Sequence, residues 1–193
     1  MQSKEDMKAF VVNLLNKNLP EHYYYHNQKH TLYVLQKAIE IAAAENCTKE
    51  EIDLLSAAAL WHDTGFTKTH KGHEEESCKL AQQYLPDYGY TSAAINKICG
   101  MIMATQIPQS PKNKLDEIVV DADLEYLGTP AAGAMAEDLF KELQALKPSL
   151  TRTAWHQTQI SFLQQHHYFT RFCKERKAPG KQLYLDQLLK GNG

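Results

Sequence analysis

An all-α architecture is what this chain of 193 residues predicts. Apolar residues recur at helical spacing along nearly its whole length. Gly and Pro number only 9 and 7, and several of them mark the breaks between periodic stretches. Strand signals are almost absent: Ile118-Val119-Val120 is the single β-like run, and it is too short and too embedded to argue for a sheet. The expectation is one compact all-α domain over residues 1–193, with a motif-bearing core at 20–130 and additional C-terminal helices at 131–193.

The elements follow in order. Met7, Phe10, Val11, Leu14 and Leu15 place a first helix over 4–18, which Pro20 and the Tyr23-Tyr24-Tyr25 cluster interrupt. Leu32, Leu35, Ile39 and Ala42 share one side of a second helix over 28–45. Thr48 and Glu51 form a capping-box signature for a third, running from Ile52 to Trp61, with Gly65 as its stop. A polar loop over 65–72 leads to a fourth helix at 73–85, ended by Pro86. A fifth covers 91–104, before Pro108 and Pro111. The stretch 115–127 reads as one continuous sixth helix, followed by Gly128 and Pro130. Further helices are expected at 131–146 and 151–177, the second of them long and broken by Pro179-Gly180, with a short helix at 183–189.

Composition narrows the function classes. A formal net charge of -2 argues against a partner such as a nucleic-acid duplex. Charge is nevertheless uneven: residues 1–147 hold 14 Lys and Arg against 21 Asp and Glu, whereas residues 148–193 hold 7 against 2 and include all three arginines, Arg152, Arg171 and Arg176. That basic segment is either a solvated face or a source of cations for an anionic substrate or for docking on the acidic remainder. Cys47, Cys78, Cys99 and Cys173 are widely spaced with no CxxC, which reads as free thiols in a reducing compartment. The N-terminal segment is charged, with no long apolar run, and no stretch is apolar enough to span a membrane. A cytoplasmic location without a membrane partner is expected.

Nine histidines are the unusual count, and His is both a common metal ligand and a common general base. Four segments concentrate them with carboxylates: Tyr25-His26-Asn27-Gln28-Lys29-His30, His62-Asp63 after an apolar run, Lys71-Gly72-His73-Glu74-Glu75-Glu76-Ser77, and Asp121-Ala122-Asp123-Leu124. Adjacent residues on a helix diverge by about 100°, but at a helix terminus His62 and Asp63 can converge on one ion. On the sixth helix Val119, Val120, Leu124 and Leu127 define an apolar arc. Asp123 lies inside it and must be paired or metal-bound, which leaves Asp121 to support a ligand or to face solvent.

The set His30, His62-Asp63 and Asp123 resembles the HD superfamily of metal-dependent phosphohydrolases. Y-H-N-x-x-H, L-W-H-D-T-G-F, G-H-E-E-E-S and D-A-D-L-x-x-L-G occur in family order over about residues 20–130. Trp155 to Thr170, through Phe162, Leu163, His166 and Tyr168, is similar to the tail of one bacterial subgroup of predicted hydrolases. The resemblance implies that His30, His62, Asp63 and Asp123 are metal ligands. Two-metal members carry two further histidines before the last Asp. His73 matches the first, but Met103-Ala104-Thr105 stands where the second is expected, so one ion rather than two is implied.

The residues agree with that chemistry. Two imidazoles and two carboxylates suit one divalent transition ion such as Mn, Fe, Ni, Co or Zn. Its bound water or hydroxide would attack phosphorus, with Asp63, His73, Glu74, His70 and Lys71 as candidate catalytic residues. His70, Lys71, Lys68 and His73 either contact phosphate and a leaving group or are solvated loop residues. Glu74 or Glu75 either orients a ligand or complements the helix dipole. The Tyr23–Tyr25 cluster is a packed edge of the core or a base-stacking surface, and His26 is expected in capping or local hydrogen bonding. His166, His167 and Tyr168 either cover the pocket mouth or make interior contacts. The expected function is hydrolysis of a small phosphorylated metabolite, with a nucleotide favoured. A cyclic-nucleotide phosphodiesterase and a non-catalytic nucleotide- or metal-binding regulatory module are the alternatives.

Overall fold

The computed structural model describes residues 3–191. Among them are ten α-helices and no strand, as the apolar spacing requires. They are α1 (Lys4–Asn18), α2 (Gln28–Ala44), α3 (Lys49–Trp61), α4 (His73–Tyr84), α5 (Ser92–Ala104), α6 (Lys114–Asp123), α7 (Ala132–Leu146), α8 (Arg152–Gln165), α9 (Arg171–Arg176) and α10 (Ala178–Leu189). Short 3-10 segments occupy Thr64–Thr67, Leu85–Tyr88 and Glu125–Gly128. Side-chain caps start most helices. Thr48 and Glu51 close a full capping box, so α3 begins at Lys49 rather than Ile52. Ser3 and Asp6 close another on α1, and Asn27, Thr91, Asn113, Thr151 and Thr170 cap α2, α5, α6, α8 and α9.

The main core forms between α2, α3, α5 and α6, with α1 and α4 packed against it. Ile41, Leu55, Trp61, Ile98, Ile102 and Ile118 are fully buried there, each such burial stabilising the fold by roughly 1.5–3 kcal/mol. Ala57, Ala58 and Ala59 are also buried and keep α3 slim where other helices surround it. The C-terminal helices add two smaller clusters, around Tyr126, Leu163 and Leu185 and around Phe140 and Trp155. The four cysteines are free thiols, three of them buried and Cys47 half-buried. No helix among the described residues is long and apolar enough to cross a membrane.

Three expected elements are corrected. The helix expected over 115–127 ends at Asp123. Leu124 leaves helical geometry at φ -108° and ψ 14°, and the Tyr168 hydroxyl lies 3.1 Å from the Leu124 carbonyl that it donates to. The long helix expected over 151–177 is two helices with an extended break at 166–170. Asp121 is the cause: fully buried, it accepts from the Phe169 N–H (2.9 Å), the Thr170 N–H (2.8 Å) and the Thr170 hydroxyl (2.6 Å). Asp121 therefore neither faces solvent nor supports a ligand of the site; it fixes this break. Pro179-Gly180 starts a helix instead of ending one, because Pro is tolerated in a first turn. Gly180 is required there: a Cβ on it would lie 2.3 Å from the Gly128 carbonyl.

Candidate functional site

Three chain segments bring His30, His62, Asp63 and Asp123 together. Asn27 caps α2 by accepting from the Lys29 N–H at 2.9 Å, which places His30 in the first turn, facing inward. His26 shows neither the capping nor the local hydrogen bonding expected of it, since its ring and its N–H meet Glu142 far along the chain. His62 follows the last residue of α3, Asp63 precedes the 3-10 turn Thr64–Thr67, and Asp123 is the last residue of α6. Ser77 on α4 holds the His62-Asp63 turn in place. Its hydroxyl donates to the His62 carbonyl (2.6 Å) and accepts from the Gly65 N–H (2.8 Å). Gly65 is not a helix stop. It permits close approach, since a Cβ there would sit 1.9 Å from the His73 carbonyl.

His62 Nδ1 lies 2.8 Å from the Ala59 carbonyl. A carbonyl only accepts, so Nδ1 carries hydrogen and the neutral ring presents a lone pair at Nε2. That nitrogen faces Asp63 Oδ2 at 3.1 Å and Asp123 Oδ1 at 3.6 Å. His30 Nε2 lies 3.0 Å from Asp123 Oδ1 and 3.4 Å from Asp63 Oδ2. Ligand atoms about 2.0–2.2 Å from one ion, at angles near tetrahedral or octahedral, are about 3–3.5 Å apart. His62 Nε2 and Asp63 Oδ2 are buried without a hydrogen-bond partner, and a cation would satisfy both. His30, His62 and Asp123 form a group that could hold a metal ion; Asp63 is not part of that group, and its Oδ2 faces the two imidazole nitrogens alone. Burial opposes charge on His62, Asp63 and Asp123, yet the carboxylates of Asp63 and Asp123 raise His62 well above its ordinary pKa. In turn the imidazoles of His62 and His30 hold both carboxyls below the usual range.

Asp63 and Asp123 open onto a cavity of about 630 Å³. His70, Lys71, His73 and Glu74 line it as well. His73 stacks on Phe66 with ring centroids 3.7 Å apart, and its Nε2 is 3.6 Å from Asp63 Oδ1. Glu74 is buried beside it, with Oε2 3.5 Å from His73 Nδ1. Lys68 is exposed and does not line the cavity, and neither does Glu75. Thr105 lines the cavity where a further histidine was sought, and its hydroxyl donates to the Ile102 carbonyl at 2.8 Å.

Several expected neighbours lie elsewhere. None of Arg152, Arg171 and Arg176 lines the cavity. Arg152 pairs with Glu137 (2.8 Å), and Lys177 with the buried Glu125, so parts of the basic segment dock on acidic partners. His166, His167 and Tyr168 do not line the cavity either: Tyr168 is interior, and His166 is half-buried beside Lys181. Of the tyrosine cluster, Tyr23 is core, Tyr24 is exposed, and Tyr25 lines the cavity while packing on His30.

Sequence reasoning missed a pair in the cavity wall. His26 lines the cavity, and its Nδ1 meets the fully buried carboxylate of Glu142 on α7. Glu142 also accepts from the N–H groups of Tyr25 (2.9 Å) and His26 (3.0 Å). The available signal was a Glu between Leu139 and Leu143 on an otherwise apolar helix face. Burial opposes both charges, but the pairing raises His26 above its ordinary 6.5 and lowers Glu142 below its ordinary 4.5. Stabilisation through His26 is complete below pH 6.5 and fades as pH rises through the raised value. Stabilisation through Glu142 is complete above pH 4.5 and fades as pH falls through the lowered one. Thermal melts across pH should therefore show the largest Tm gap between the native chain and His26→Asn between pH 4.5 and 6.5, shrinking above neutrality. A gap independent of pH would contradict the pairing.

The sequence matches the HD domain family over residues 28–125. The fold is similar to the crystal structure of a predicted HD superfamily hydrolase from an uncultured Thermotogales bacterium. The TM-score is 0.61 at 20% identity, covering 96% of this chain and 92% of that one. No match was found among curated proteins.

Proposed function

This chain belongs to the HD domain family, and from that premise we propose that it is a metal-dependent phosphohydrolase in which His30, His62, Asp63 and Asp123 hold one divalent transition ion. The observation that carries the reading is the convergence of acceptor atoms: His62 Nε2, a lone-pair donor to metals, faces two carboxylate oxygens at 3.1 and 3.6 Å. Such an ion supplies Lewis acidity toward a phosphoryl oxygen and lowers the pKa of a bound water. The protein's own groups do the rest. His73, beside Asp63, is placed to hold or pass a proton at the reacting end. His70 and Lys71 meet phosphate charge at the cavity mouth. Glu74 steadies His73, and His26, whose charged form the pairing with Glu142 favours against burial, adds a positive group in the wall.

The proposed substrate is a small phosphorylated metabolite, nucleotides included. Metal analysis of the purified protein, followed by phosphate release from a panel of nucleotide, sugar and simple alkyl phosphates, tests the reading. The expected result is about one bound ion per chain and release that chelation abolishes and ion restores. Stoichiometric metal with no phosphate released from any panel member would sink the proposal.

A further inference from the structure

We propose, building on the phosphohydrolase reading, that the organic part of the substrate is apolar and of aromatic size, and that α7, α8 and α10 select it. The family match ends at residue 125, but the cavity does not. The same continuous space that exposes Asp63 and Asp123 is walled by Leu139 and Leu143 of α7, Trp155, Phe162 and Leu163 of α8, and Tyr184 of α10. Ile107, 61% exposed, also lines this space. A volume of about 630 Å³ falls within the roughly 300–1,000 Å³ of pockets that enclose a whole small molecule, well beyond a phosphate group. Whatever places its phosphoryl group beside Asp63 extends its remaining atoms along this wall.

Two further observations set the chemistry. On the part of the wall that α7, α8 and α10 supply, the polar side chains besides the Trp155 indole are Thr158, Gln159 and Tyr184, and each of these is engaged: the Thr158 hydroxyl donates to the Ala154 carbonyl at 2.9 Å, and Gln159 Oε1 accepts from the Tyr184 hydroxyl at 2.8 Å. A sugar or base rich in hydrogen-bonding groups would leave those groups unpaired against apolar side chains, at a cost in binding. Charge points the same way. Among the described residues lining the cavity, Lys71 is the one Lys or Arg, while Asp63, Asp123 and Glu74 add negative charge. Arg152, the nearest candidate by sequence on α8, lies over the Phe140 ring at 4.3 Å and pairs with Glu137. With a divalent ion the four charges of Lys71, Asp63, Asp123 and Glu74 sum to about zero and His26 adds one positive group, which leaves little to meet the chain of charges on a nucleoside triphosphate. The substrate class is therefore a phosphate monoester of an apolar alcohol.

The test compares phenethyl phosphate with glycerol phosphate on the full chain loaded with metal. Both are esters of aliphatic alcohols, so leaving-group chemistry does not decide the outcome. The expected kcat/KM ratio favours the phenethyl ester by about tenfold or more, the scale on which apolar pockets discriminate. In Phe162→Ser or Leu143→Gln that ratio should collapse toward one. A readout independent of turnover accompanies it: phenethylphosphonate should quench Trp155 fluorescence at a concentration about tenfold below that needed for methylphosphonate. Equal phosphonate affinities, or a preference for the glycerol ester, overturn the inference. If no ester is hydrolysed yet the phosphonates differ tenfold, the apolar site stands and the phosphohydrolase reading falls. A substituted chain that fails to fold leaves the two native comparisons decisive.

Discussion

Asp63→Asn is expected to lose its ion. The replacement keeps the size of the side chain and removes the charge that faces His62 Nε2 at 3.1 Å and His30 Nε2 at 3.4 Å. An amide nitrogen at that position would also turn hydrogens toward a lone pair that a cation should occupy. Losing a group that merely orients a ligand costs about 10–100-fold in metal affinity, so losing a ligand should exceed the upper end of that range. Phosphate release should fall by about a thousandfold or more, because Lewis-acid stabilisation is worth several kcal/mol. Calorimetric titration with Mn or Zn measures the first effect and single-turnover phosphate release the second. A variant that binds the ion as tightly as the native chain removes Asp63 from the ligand set.

Asp121→Ala should act on the fold and spare the ion. Asp121 sits two residues from Asp123 but points the other way, onto Phe169 and Thr170. Truncation leaves two buried or half-buried N–H groups and the Thr170 hydroxyl without their acceptor. It also frees the break that lets Thr170 cap α9. Hydrogen bonds to a charged acceptor contribute about 1.5–3 kcal/mol each, with incomplete additivity, so a loss of about 3–5 kcal/mol is expected. For a chain of this length that corresponds to a Tm lower by roughly ten degrees. Metal stoichiometry measured below the new transition should match that of the native chain. Loss of metal at full stability would instead place Asp121 in the site.

The helices of the first hundred residues were legible because local signals set them. Thr48 with Glu51 marks the start of α3 to within one turn, and the apolar spacing places α2 and α5 within about a residue of their observed ends. Asp123 stood out because it interrupts an apolar arc, but the same arc misplaced Asp121, which is the more deeply buried of the two and is held by Phe169 and Thr170. What the sequence hid depends on partners far along the chain. The end of α6 depends on Tyr168, 44 residues from Leu124, and the break between α8 and α9 depends on Asp121, 49 residues from Thr170. Helical spacing runs unbroken through both places, so periodicity alone extends the helix. The pairing of His26 with Glu142 spans 116 residues, and no local pattern announces it. Pro179 misled for another reason: the same residue that ends a helix also suits its first turn.

The chain order of the cavity has a consequence for synthesis. His30, His62, Asp63 and Asp123 all leave the ribosome before Glu142, Trp155, Phe162 and Tyr184 do. Roughly sixty residues separate Asp123 from Tyr184, which at about 5–20 residues per second is an interval of several seconds. During that interval the imidazoles and carboxylates exist without their apolar wall, open to surrounding ions. Ion capture can thus precede the arrival of the helices that line the rest of the cavity.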